Sequence, residues 1–221
     1  MNCVTHNTII GSLERIFGKP FVGIKAHATP QGTSQAWQTY CAAIDQSLKD
    51  GATRYVDMAA TRCHGARYAF GVMRGSEEMK ELIDHLMDDD RFLSREAALS
   101  RLTALPRFTT NIRTIEISKE LERPDAIISY LTPVEMMILV QAYEKAMSRS
   151  IPMMQTGLMP VCGCCTVQPI ITNEMAYSFG CKESREYGGL PADSIVVGIP
   201  FCTVETMIDH IEVLYRKFKE K

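Results

Sequence analysis

Eight cysteines stand at positions 3, 41, 63, 162, 164, 165, 181 and 202 of a 221-residue chain, and their chemistry most needs explaining. No basic segment followed by an apolar run opens the chain. A secretory signal is therefore not expected, and thiols in a reducing cytoplasm do not build a disulfide framework. Three uses remain: packing, ligation of a metal or cluster, and redox or nucleophilic chemistry. Cys63 precedes a short helical stretch, with Arg67 four residues on; Cys181 and Arg185 repeat that spacing. Helix N-terminal N–H groups and a guanidinium one turn away lower a thiol's pKa, so an activated thiolate or an anion pocket is one expectation. The other starts from the densest group, Cys162-Gly163-Cys164-Cys165. It has no second Cys-x-x-Cys pair at zinc-finger spacing and no ferredoxin-type run. Cys41, Cys63, one of Cys162, Cys164 and Cys165, and Cys181, drawn from separate loops, would instead form an iron–sulfur or other metal site.

A thiol nucleophile needs a base. His64 follows Cys63 directly, and helix neighbours point about 100° apart, so it serves that sulfur poorly. His27, near the end of an apolar strand, is the better histidine. The stretch from Gly180 to Gly189 holds Lys182, Ser184 and Arg185, donors suited to a carboxylate or phosphate. Asp88-Asp89-Asp90-Arg91 reads as a solvated turn, because three adjacent acidic side chains diverge. No phosphate-binding loop, dinucleotide fingerprint or hydrolase elbow occurs.

The elements that must position these residues read mostly as strand and helix in alternation. Helices are expected over 7–17, 34–48 with Ser34 as cap, 66–73, 133–147 opened by Pro133, and 204–219. Strands are expected over 21–28, 53–58, 111–118 on the outside of the sheet, 126–131, 151–158, 176–180 and 195–199. Cys162 to Thr172 starts a short helix. Two surface helices, over 76–88 and 94–105 and each opened by serine, form a helical excursion at about 76–105. The expected fold is α/β, a mixed sheet with helices packed on it, in a single domain over 1–221. Residues 28–44 (ATPQGTSQAWQTYCAAI) and 131–147 (LTPVEMMILVQAYEKAM) echo one another without a gap. That echo suggests two β-α-β-like halves related by duplication, whose pseudo-twofold would bring the cysteine-bearing turns to a shared cleft. A net charge of −2 and the lack of a long apolar run argue against a nucleic-acid or membrane surface.

The stretch Cys63-His64-Gly65-Ala66-Arg67-Tyr68-Ala69-Phe70-Gly71 resembles the Cys-Pro-Gly-x-x-Tyr-x-Leu-Gly signature of the family called domain of unknown function 169. Gly180-Cys181 through Ser184-Arg185-x-Tyr187-x-Gly189-Leu190, then Val197-Gly198-Ile199-Pro200, is similar to that family's C-terminal signature. Pro124-Asp125-Ala126 through Gln141-Ala142-Tyr143 matches its central strand and helix. The resemblance implies a single domain from an anaerobe, with attention on Lys25, Cys41, Cys63, Arg67, Cys181 and Arg185; it supplies no activity. His64 stands where the family has proline, and Cys164-Cys165 is richer in cysteine than its pattern. The expected function is a cysteine-ligated metal or iron–sulfur protein with Cys41, Cys63, Cys164, Cys165 and Cys181 as ligands. Its alternatives are a module for an anionic small molecule, held by Lys25, His27, Arg67, Ser184 and Arg185, and a thiol-dependent enzyme. The partner is a small-molecule ligand or cofactor, and the oligomeric state stays open, a homodimer included.

Overall fold

Runs of β-branched and aromatic residues with no polar face form the middle of the sheet. In the computed structural model, which describes residues 6–73, 75–121, 123–152 and 157–220, β4 (Ala126–Leu131) and β6 (Ile195–Pro200) are buried at every position. A strand buried on both faces needs no alternation. The other strands are β1 (Phe21–His27), β2 (Arg54–Asp57), β3 (Thr114–Ser118) and β5 (Ala176–Ser178). They form one sheet in the order β2-β3-β1-β4-β6-β5. Every pair is antiparallel, so the sheet is less mixed than expected; the parallel contact among the described residues is a single bridge between Gln35 and Val56.

Successive strand residues point to opposite faces, and two apolar clusters result. Val22, Ile24, Ile128, Tyr130 and Val196 face α2 (Tyr40–Asp50), α3 (His64–Ala69) and the excursion helices α4 (Ser76–Asp88) and α5 (Arg95–Thr103). Phe21, Ile127, Leu131, Val197 and Ile199 face α1 (His6–Phe17), α6 (Pro133–Met147) and α9 (Phe201–Lys219). Between α6 and β5 runs a π-helix, Pro160–Val167, followed by α7 (Gln168–Thr172); α8 (Lys182–Glu186) joins β5 to β6.

The strand order reads the same outward from the β1–β4 pair on both sides. β1 and β2 run parallel with β3 between them, as β4 and β5 do with β6 between. Each half is thus a split β-α-β unit. The symmetry stops at the helices. The echoing α2 and α6 pack on opposite faces, whereas a twofold that pairs β1 with an adjacent antiparallel β4 keeps faces unchanged. On the α2 side, the second half supplies the π-helix instead.

Local chemistry accounts for most boundaries. Thr132 and Glu135 form a capping box ahead of Pro133, as the proline implied. Ser94 caps α5 through Ala97 N, while α4 starts at Ser76 behind Gly75 without a side-chain cap. The second helix begins later than expected: Gln35 exchanges backbone bonds with Tyr55 and Asp57, so it extends the sheet edge, and Thr39 rather than Ser34 caps α2. β3 lies inside the sheet, not outside. Its alternation reflects Glu116, which meets His27 and Tyr55 across the neighbouring strands rather than water. Of the strand expected over 151–158, residues 153–156 lie outside the described residues, and 151, 152, 157 and 158 belong to no strand.

The π-helix rests directly on β6. A methyl group on Gly198 would lie 1.8 Å from the Cys165 carbonyl oxygen, and that obstacle is backbone. Gly198→Ala should therefore destabilise the fold by at least about 3 kcal/mol, the upper end for an overpacked core. Urea denaturation checks this; a variant within about 1 kcal/mol of the parent would show that the π-helix can lift off β6 at little cost.

Candidate functional site

Four cysteines from four elements line one cavity of about 350 Å³: Cys41 in the first turn of α2, Cys63 at the N-cap of α3, Cys162 in the π-helix and Cys181 at the N-cap of α8. Leu82 and Leu86 of α4, Leu102 of α5, Leu158 and Met159 supply its apolar lining. Gln38, Arg62, His64, His85, Arg91 and Glu183 make its polar margin. The segment after α8 reaches α2 because Gly188 has no side chain: a methyl there would stand 2.4 Å from Cys41 Cβ. That approach brings Cys181 and Cys41 to the same space.

The interior disfavours negative charge. Burial pushes Cys41 and Cys162 well above the usual thiol range, and the other cavity cysteines push them further. Cys63 is also raised, first by burial; backbone N–H groups at its helix start lower it without compensating. Burial and a hydrogen bond to the Glu183 carboxylate raise Cys181 to about 11. Burial works against the Glu183 carboxylate too, but the bonds from Cys181 and Arg91 outweigh it and hold its pKa below the ordinary glutamate value. The thiolate activation expected from helix starts and arginines does not occur, because both arginines turn elsewhere. Arg67 pairs with Glu78 of α4, and Arg185 donates to the carbonyls of Phe179, Pro191 and Ser194.

The other anion-binding candidates have local partners as well. Lys25 donates to Arg123 O at 2.8 Å and faces Asp125 at 3.9 Å, and His27 meets Glu116 at 3.0 Å. Ser184 is buried and spends its hydroxyl on the backbone of Cys181. None of Lys25, His27, Arg67, Ser184 and Arg185 lines the cavity. Of the expected metal ligands, Cys41, Cys63 and Cys181 come together, whereas Cys164 and Cys165 do not join them. Cys165 lies under β6 with its thiol 3.5 Å from Val196 O, and Cys164 is buried near Arg101. Cys162 takes their place. In an ordinary helix residues three apart share a face; the i→i+5 turn of a π-helix advances only roughly 80° per residue, and separates Cys162 from Cys165. Cys202 is exposed and distant from the cavity wall, while Cys3 lies outside the described residues.

Beside the mouth, one ligand atom each of His85, Asp89 and Glu183 lies within 4.8 Å of the others. Cations of the protein already serve those acids: Arg91 bridges Asp89 and Glu183, and Lys182 reaches Asp89 at 3.3 Å. Among the described residues, no three cysteine sulfurs come that close to one another.

A family model matches residues 16–210. The chain belongs to the family called domain of unknown function 169, described as uncharacterised ArCR. It is 23% identical over 203 residues to the uncharacterized protein MJ0308 of Methanocaldococcus jannaschii, covering 88% of this chain and 87% of that one. No solved structure matches it. Each family signature read in the sequence contributes a cysteine to the cavity, Cys63 from one and Cys181 from the other. Among the described residues, no helix is long and apolar enough to cross a membrane.

A thiol raised from the ordinary 9.0 to about 11 binds its proton more tightly in the folded chain. Its contribution to stability is complete below pH 9 and is lost as the pH rises toward 11. In reduced, chelator-treated protein, the unfolding free energy should fall over that window, where the other buried thiols contribute as well, and Cys181→Ser should make the fall shallower by one thiol's share. An equally steep decline in the variant would show that Cys181 is not among the groups responsible.

Proposed function

We propose that the cavity between α2, α3, α8 and the π-helix holds a cysteine-ligated metal centre, an iron–sulfur cluster, with Cys41, Cys63, Cys162 and Cys181 as its ligands. The carrying observation is the convergence of these four cysteines, from distant parts of the sequence, on one cavity. A tetrahedral zinc with Zn–S bonds of about 2.3 Å needs sulfurs about 3.8 Å apart, and among the described residues no three cysteine sulfurs lie within 4.8 Å of one another. A cluster fills the wider gap with its own iron and sulfide.

Electrostatics supports the same choice. Thiols that resist ionisation alone, and that raise one another, are relieved by cationic iron placed among them, because a coordinating thiol is deprotonated by its metal. A free thiolate nucleophile asks for a positive environment, and here the nearest carboxylate faces Cys181 while Arg91 is committed to Asp89 and Glu183. When bound, such a cluster supplies one-electron transfer or an iron Lewis acid. The apolar wall of Leu82, Leu86 and Leu102 would limit water around it, which tunes a cluster's potential.

Anaerobic reconstitution with iron and sulfide tests the proposal. The parent chain and Cys164→Ser should become brown and retain iron, while Cys63→Ser and Cys162→Ser should lose most of it. A colourless, iron-free parent sinks the reading; loss in Cys164→Ser with retention in Cys162→Ser would move the centre elsewhere.

A further inference from the structure

We infer that Tyr40 and Thr166 are positioning residues that set the separation between Cys41 and Cys162; the inference rests on the cluster reading of the cavity. Tyr40 is the first residue of α2, immediately before Cys41, and is wholly buried. Its ring meets Phe70 edge-on at 5.1 Å between centroids, which leaves the hydroxyl little freedom. That hydroxyl lies 3.1 Å from Thr166 Oγ1, and Thr166 in turn donates to the Val161 carbonyl at 2.8 Å. With the threonine proton committed to Val161, Tyr40 is the donor in the other bond. Val161 immediately precedes Cys162 in the π-helix. A directed chain of two hydrogen bonds therefore runs from the residue before Cys41 to the residue before Cys162.

The chain also holds the unusual turn. Thr166 stands five residues after Val161, the spacing of a π turn, and its hydroxyl addresses the same carbonyl that such a turn uses. If the segment tightened to an α-helix, residue 165 would move toward the place of residue 166 and Cys162 would rotate relative to the cavity. A fully satisfied buried polar pair of this kind specifies one arrangement among several apolar packings of similar density. Neither side chain lines the cavity, so each acts through a neighbour.

The full chain, carrying Thr166→Val, Thr166→Ser or Tyr40→Phe and checked for folding by thermal denaturation, tests this in two ways. After anaerobic loading with iron and sulfide, Thr166→Val and Tyr40→Phe should retain several-fold less iron than the parent and shift the g values of the reduced cluster. Thr166→Ser should restore both. Parent-like iron content and g values in both variants, with iron lost in Cys162→Ser, overturn the positioning role and leave the cluster reading standing. The second measurement needs no metal: iodoacetamide labelling of the reduced apo chain, followed by mass spectrometry, with exposed Cys202 as internal reference. Cys162 should react about tenfold faster in Thr166→Val, the weight of one buried hydrogen bond on local opening. An unchanged Cys162 rate overturns the inference even where the parent takes up no iron, and iron-free parent protein is what overturns the cluster reading. Tyr40→Phe, which removes a single oxygen, carries both measurements if Thr166→Val fails to fold.

Discussion

The seating of the π-helix on β6 is the contact on which the site depends. Eight consecutive buried residues, Pro160–Val167, lie against the sheet where Gly198 exposes bare backbone, with the Cys165 carbonyl closer than any side chain would permit. That closeness sends Cys165 down onto Val196 and leaves Cys162 at the cavity wall. It also places the crossover on the α2 side of the sheet, opposite the face on which α6 packs. A helix that began on the far face thus hands its chain to the near face, and the second half completes a cavity begun by the first. π-helical turns are rare because their hydrogen bonding is strained relative to the α form, and they persist where packing requires the extra residue.

Charge is divided between the cavity and its mouth. Inside are thiols that burial keeps protonated; at the margin Asp89, Arg91, Lys182 and Glu183 tie the turn after α4 to α8. Isolated surface pairs contribute little, but these groups share partners, and Asp89, Arg91 and Glu183 are partly buried, the conditions under which such networks count. The excursion helices are thereby tied to the element that carries Cys181. The excursion is part of the site, as Leu82, Leu86 and Leu102 form its apolar wall.

The α/β class, the excursion, the proline-opened helix and the core strands were legible because they rest on local terms: periodicity, caps and turn residues. The two cysteines at helix starts were legible for the same reason, and each stands in a family signature. Other features were not. Ser34 is as good a cap as Thr39, and only the backbone bonds of Gln35 to β2 decide between them. β3 alternates like an edge strand, yet Glu116 satisfies its polar face inside the sheet.

The sequence by itself determined which residue types could ligate a metal and that two of them, Cys63 and Cys181, open helices, because turn chemistry and apolar periodicity are written residue by residue. Tertiary structure decided which cysteine of 162, 164 and 165 faces the others, that Arg67 and Arg185 serve Glu78 and backbone carbonyls, and that α2 and α6 part to opposite faces despite their echo. The first of those outcomes depends on a widened helical turn and on the absence of a methyl group at Gly198, which lies 36 positions from Cys162. Long-range close packing of that kind leaves no periodic signal in the chain.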